Sequence, residues 1–318
     1  MKKWSLLGII FSIILVLAAC GGAKETSQTE KKSGSKENTV AEEVTVKHKY
    51  GETVVKKNPE KVVVFDFGIL DTLDELGVEV AGLPQATIPD YLKKYADKKY
   101  TNLGSLKEPD FEAIHAMKPD VIFISARQAE LYDQFAEIAP TVFVEFDYSK
   151  YMESFEKNMN LVGDIFGKED QVASELKDIK ANVAALNKKA KSADEKALIL
   201  LANEGQISAY GPSSRFGLIH DVFGLGAADD KIEVSTHGQI VTFEYIMEKN
   251  PDVLFVIDRN VAVGGDAGAK KAVENELVEK TNAFKNDKIV YLDANTWYLS
   301  GGGLKSIKLM AEEIEKAL

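Results

Sequence analysis

The sequence predicts an α/β protein built from two similar lobes, and three observations carry that expectation. The body of the chain, residues 44–318, has the size at which single hydrophobic cores stop growing and chains divide. A stretch from Phe111-Glu112-Ala113-Ile114 to Lys118-Pro119-Asp120-Val121-Ile122-Phe123-Ile124-Ser125-Ala126-Arg127 recurs without a gap. Its second copy runs from Phe243-Glu244-Tyr245-Ile246 to Asn250-Pro251-Asp252-Val253-Leu254-Phe255-Val256-Ile257-Asp258-Arg259. A weaker echo pairs Gly68–Gly77 with Gly217–Gly226.

Each copy of the strong repeat reads as a short amphipathic helix, a Pro-Asp turn and a continuous apolar run. Such runs are buried on both faces of a parallel sheet. Both copies of the weaker echo read as helices ending in glycine, the residue that most easily adopts the left-handed stop. Each follows a strand candidate, Lys61–Phe65 and Ala197–Ala202, so each lobe opens as strand, loop, helix.

The ends of the chain have a different character. Lys2 and Lys3 precede an apolar run from Leu6 to Val16 and then Leu17-Ala18-Ala19-Cys20. A cationic start, a short apolar core and small residues at a cleavage point make residues 1–19 a secretory signal. The run is shorter than the roughly 20 apolar residues that span a bilayer. Cys20 is the only cysteine, so no internal disulfide is possible, and the Leu-Ala-Ala-Cys string resembles the lipobox in which that cysteine is acylated. Residues 20–43 are Gly, Ser, Thr, Lys and Glu with almost no large apolar side chain, the composition of a flexible tether.

Residues 44–168 then form the first lobe and residues 192–318 the second. Between them, residues 169–191 carry Val172, Leu176, Ile179, Val183 and Leu186 at helical spacing with neither proline nor glycine. This predicts one stiff connecting helix and hence limited closure between the lobes.

The formal charge is −11, and loss of Lys2 and Lys3 with the leader takes it to −13. So acidic a chain is unsuited to nucleic acid. An anionic ligand would need a local cationic patch. Of 39 basic residues only Arg127, Arg215 and Arg259 are arginine. The planar, permanently charged and weakly hydrated guanidinium suits delocalised oxygen anions in a partly dry site. Arg127 and Arg259 close the repeated strand, and in open α/β sheets the ligand crevice lies beyond the carboxyl ends of strands. Arg215 lies in the loop Gly211–Gly217, so all three are expected to converge on one cleft.

His237, in Ser-Thr-His-Gly-Gln, and Tyr298, in Trp-Tyr-Leu-Ser-Gly-Gly-Gly, occupy loop-like positions. Each is either a hydrogen-bonded structural residue or a ligand for ferric iron. Trp297 is an aromatic suited to contact with a catechol ring. The chain has no H-E-x-x-H, G-x-S-x-G or P-loop string, and its four histidines are scattered. Three fixed positive charges without a nucleophile describe a binder, not an enzyme.

The body resembles the class III periplasmic-binding family that delivers siderophores, haem and cobalamin. The likeness rests on Asn58-Pro59-Glu60-Lys61-Val62-Val63-Val64-Phe65, on the Lys-Pro-Asp-Val-Ile strand and on the Trp-Tyr-Leu-Ser-Gly-Gly-Gly ending. Within that family it looks like the petrobactin-binding lipoproteins of Bacillus. The strings concerned are Val-Phe-Asp-Phe-Gly near Phe65, Gly104–Phe111, Ile124–Gln128 and Ser235–Gln239.

The resemblance implies two Rossmann-like lobes joined by a single long helix, with the cleft between them. It implies capture of an anionic ferric catecholate and delivery to an ABC permease with a cytoplasmic ATPase, by a monomer lipid-anchored outside the membrane, with no intrinsic cofactor. Arg127, Arg215 and Arg259 match the arginine triad that contacts the ferric chelate in the family. His237 and Tyr298 match positions that complete the iron shell when a siderophore leaves sites open. Glu112 and Glu244, equivalent in the repeat, match the carboxylates that dock onto the permease. A haem-binding importer protein, with Tyr298 or His237 as axial ligand, is the alternative within binding proteins. An extracytoplasmic enzyme for an anionic substrate is the alternative outside them.

Overall fold

The computed structural model describes residues 42–318. The leader, Cys20 and nearly all of the expected tether lie outside those residues. The first element is an antiparallel hairpin of β1 (Glu43–His48) and β2 (Gly51–Lys56), so ordered chain begins at the last residue assigned to the tether. The continuous apolar runs become strands as their composition requires. The first sheet contains β3 (Val62–Val64), β4 (Gly82–Leu83), β5 (Thr101–Asn102), β6 (Val121–Ile124) and β7 (Thr141–Phe143). They lie in the order β5-β4-β3-β6-β7, all parallel, with every residue of β3 and β6 buried. This winding outward from a central first strand is the Rossmann-like half.

The second sheet contains β8 (Lys196–Asn203), β9 (Gln206–Tyr210), β10 (Gly226–Ala227), β11 (Gln239–Ile240), β12 (Val253–Asp258) and β13 (Ile289–Leu292). Its order is β11-β9-β8-β12-β13, with β10 pairing the start of β8. Here the two lobes diverge. β9 doubles back antiparallel on β8 through Glu204 and Gly205, whose φ angles of 50° and 83° supply the left-handed pair that a tight hairpin needs.

The strong repeat has one physical logic in both copies. Asp110 and Thr242 cap their helices by accepting from Ala113 N at 3.0 Å and Tyr245 N at 3.4 Å. The helices end at Lys118 and Asn250, both left-handed. The aspartate of each Pro-Asp pair then pins its turn to the start of the neighbouring strand. Asp120 Oδ2 accepts from Lys61 N at 2.8 Å and Asp252 Oδ2 from Lys196 N at 3.1 Å. Pro-Asp therefore sets strand register as well as turning the chain. The weaker echo is less faithful. The first copy is the helix Phe67–Glu75, stopped at Gly77, whereas the second is a single turn, Leu218–Asp221. That turn gives out where Asn187 donates to Val222 O at 2.8 Å and packs against Gly224.

The helix Glu169–Ala193 runs between the two sheets in sequence, about 37 Å long at 1.5 Å per residue. It buries Val172, Leu176, Ile179, Leu186 and Ala190 against Tyr151–Phe166 and the last helix, Leu304–Ala317. That last helix belongs to the second lobe in sequence but packs on the first-lobe helix Phe67–Glu75. One apolar core consequently runs from Val46 through the connecting helix to Ile314. A shared core of this kind resists large hinge motion. No helix among the described residues is long and apolar enough to cross a membrane.

The return crossing is fastened by a buried carboxylate. Asp71 Oδ1 accepts from Lys305 N at 3.2 Å, and Oδ2 accepts from Ser306 N and from the Tyr91 hydroxyl, each at 3.0 Å. Thr72 Oγ1 accepts from Leu304 N at 3.2 Å. Gly303 must be glycine, since a Cβ there would fall 2.0 Å from Asp71 Oδ1. Burial pushes the Asp71 pKa up to about 7 from its ordinary 3.8, although the Ser306 and Lys305 contacts pull it back.

A carboxyl whose folded pKa is raised favours the fold when protonated. Its contribution is complete below about pH 4 and is lost as pH rises through about 7. Asp71→Asn, which cannot ionise, is expected to flatten the pH dependence of the melting temperature across that window. Identical slopes for the two proteins would show that Asp71 titrates normally.

Candidate functional site

A cavity of about 1110 Å³ opens between the carboxyl ends of the two sheets, and all three arginines line it. Each is presented by a differently built loop. Arg127 sits in the turn Ala126–Leu131 just after β6. Buried Gln128 locks that turn by accepting from Ser125 N at 3.2 Å and donating to Leu106 O at 2.6 Å. Arg259 follows β12 directly. Asp258 shapes its turn by accepting from Asn260 N at 3.0 Å and from Gly268 N and Ala269 N at 2.8 Å each. Arg215 rides on a loop folded so tightly that a Cβ at Gly217 would come within 2.8 Å of the Ser214 backbone nitrogen.

The arginines meet at Tyr298. Arg127 Nη2 donates to Tyr298 O at 2.6 Å and Arg215 Nη2 donates to the same oxygen at 2.5 Å. Their guanidinium carbons lie 5.6 and 4.2 Å from the centroid of its ring. Arg259 donates through Nη1 to Asn203 Oδ1 at 3.1 Å. Each guanidinium has five N–H donors, so most of the donor capacity of the cluster is uncommitted.

Burial, and then the neighbouring Arg215, push the Arg127 pKa below its ordinary value. Two like charges held together in a half-buried place make a standing demand for an anion. For the Tyr298 phenol, burial pushes upward, but Arg259 and Arg215 outweigh it and the net pKa is lowered. That shift favours the phenolate, the form that ligates ferric iron.

Tyr298 owes its position to the π-helical turn Thr296–Ser300 and the three glycines after it. A Cβ on Gly68 would lie 3.1 Å from Ser300 O and from the Gly302 carbonyl carbon, so glycine allows this loop to approach the first helix. His237 is exposed in a turn at the cavity wall, with Ser235 Oγ donating to Gly238 O at 2.9 Å. Trp297 touches the cavity but is only 3% exposed, and its Nε1 donates to Glu313 Oε2 at 2.6 Å. Its indole is thus committed to the last helix.

Glu112 and Glu244 stand exposed in the first turns of equivalent helices, outside the cavity. Among the described residues no three His, Cys, Asp or Glu side chains are grouped to hold a metal ion.

Sequence reasoning passed over Lys49, Lys107, Phe146, Tyr148 and Tyr151, all of which line the cavity. Phe146 lies 5.4 Å from Tyr148 and 4.7 Å from Tyr151 between ring centroids, forming an aromatic wall. Phe146 and Tyr148 follow β7, so the strand-end rule that picked out Arg127 and Arg259 applies to them equally.

Comparison with known proteins agrees with this architecture. Residues 62–296 match the family model described as periplasmic binding protein. The chain is 50% identical over 322 residues to the petrobactin-binding protein YclQ of Bacillus subtilis, covering 100% of this chain and 99% of that one. The crystal structure of YclQ superposes with a TM-score of 0.85 at 52% identity, covering 87% and 98% of the two chains. The ferric-anguibactin-binding protein FatB of Vibrio anguillarum is 31% identical, covering 86% of this chain and 87% of its own length. The structure of BauB bound to two acinetobactin molecules and ferric iron has a TM-score of 0.80 at 32% identity, covering 87% and 98%. With its two Rossmann-like lobes and single connecting helix, the chain belongs to the periplasmic binding protein family, in its class III form.

Proposed function

We propose that this protein is the substrate-binding component of an iron-siderophore ABC importer and that its cargo is an anionic ferric catecholate of the petrobactin type. The observation that carries the reading is the convergence of the chain's three arginines around Tyr298 in one cleft of an acidic protein. Three guanidinium groups offer hydrogen bonds and charge to iron-bound catecholate oxygens, and the Phe146–Tyr148 wall offers ring faces. Half identity to a petrobactin-binding protein over the full length supports the same ligand class. The siderophores and iron chelates in the relatives' names favour this reading over haem.

The mechanism is capture and delivery without covalent chemistry, and the relatives are likewise binding proteins. Tyr298, with its lowered pKa, and His237 are conditional iron ligands, used when a siderophore leaves coordination sites open. Glu112 and Glu244, one on each lobe, are the docking carboxylates for the two permease subunits. The protein works as a monomer outside the cytoplasmic membrane, held by a lipid on Cys20.

Titration of the mature protein, followed by Trp297 fluorescence, tests the ligand class. Strong quenching is expected with ferric petrobactin and a ferric tris-catecholate, and little with a ferric hydroxamate or haem. Quenching by the hydroxamate alone would overturn the assignment.

A further inference from the structure

The capture mechanism makes no use of the β1–β2 hairpin, yet the turn of that hairpin reaches the rim of the cleft. Lys49, in the turn, lines the same cavity as the arginines. Its backbone N–H donates to Glu145 Oε1 at 3.1 Å. The next residue, Tyr50, stacks on Tyr132 with centroids 4.1 Å apart, and its hydroxyl donates to Ala129 O at 2.6 Å. Ala129 belongs to the turn that carries Arg127, so hairpin and arginine are fixed to one another.

The Lys49 ammonium stands 4.5 Å from the Phe143 ring centroid and 4.8 Å from that of Tyr50. Aromatic faces position a cation without neutralising it. Nearby Lys47, by contrast, is paired with Glu52 at 3.0 Å. Glu145, the acid nearest in the cleft wall, spends Oε1 on the Lys49 backbone, and among the described residues no carboxylate is ion-paired with the Lys49 ammonium. A lysine prefers a compact charge, whereas arginine suits a delocalised one.

We propose that Lys49 is a specificity-determining contact that receives a pendant carboxylate of the chelate, outside the iron's own coordination shell. The inference rests on the siderophore reading and deepens it. The arginines take the iron-bound oxygens, and the rim lysine selects among chelates by what they carry farther out. A cavity of about 1110 Å³ has room for a ligand that extends beyond its iron centre.

The test pairs two probes, a ferric tris-catecholate bearing one pendant carboxylate and the same chelate with that group amidated. Calorimetric titration of the wild type is expected to favour the acid about fivefold, the scale of one partly exposed ion pair. Lys49→Gln should lose that preference and keep its affinity for the amide, while Lys49→Arg should keep most of the preference. Equal affinity of the wild type for both probes, or an equal loss for both in Lys49→Gln, overturns the proposal. If neither probe binds the wild type, the siderophore assignment itself fails, and this contact with it.

Discussion

Replacing Arg127 and Arg215 together with methionine is expected to weaken binding of a ferric catecholate by two orders of magnitude or more, while leaving the empty protein as stable as before. Hydrogen bonds to charged groups contribute about 1.5–3 kcal/mol each, and a tenfold change in affinity is about 1.4 kcal/mol. Two lost contacts therefore exceed a hundredfold. Stability behaves differently because burial and the proximity of Arg215 already disfavour the charged Arg127 when no anion is present. Removing those charges relieves a repulsion, so the melting temperature of the ligand-free variant should hold or rise. Calorimetric titration and thermal melting of the same preparation check both halves. A double variant that loses stability along with affinity would mean that the pair serves the fold.

Charge reversal of Glu112 and Glu244 to lysine is expected to abolish import and to leave siderophore affinity unchanged. Both side chains are exposed at helix N-termini, away from the cavity. Placing a cation in the first turn of a helix costs only about 0.3–1 kcal/mol, so the fold survives. A partner surface bearing arginines would instead meet like charge on both lobes at once. Uptake of radioactive iron by cells carrying the double variant, alongside ligand titration of the purified protein, separates the two effects. Normal uptake would remove the docking role.

Much of this architecture is legible in the linear chain because the repeat encodes it twice. The Pro-Asp pair, the buried run after it and the terminal arginine are local features, and their equivalence predicts that both arginines lie at strand ends facing one crevice. Less legible are features that depend on distant partners. Nothing local to Leu304–Ala317 says that this helix leaves its own lobe, since the reason is Asp71, more than two hundred residues earlier. The indole of Trp297 suits a ligand ring on chemistry alone, but Glu313 claims its N–H. The β1–β2 hairpin follows a polar tether without a composition break, and only its packing on Tyr132 and Phe143 reveals that its turn borders the cleft. The glycines of the Gly301–Gly303 run are plain in the sequence, whereas their reason, contact with the first helix, is tertiary.

Anomalous diffraction at the iron edge, from crystals of the mature protein grown with ferric petrobactin, reports directly on the claim that the arginine cluster is the ligand site. The account predicts one iron peak in the cleft, with catecholate oxygens within hydrogen-bonding distance of Arg127, Arg215 and Arg259. Iron bound elsewhere on the molecule, with the three guanidinium groups still turned toward Tyr298 and solvent, would contradict it.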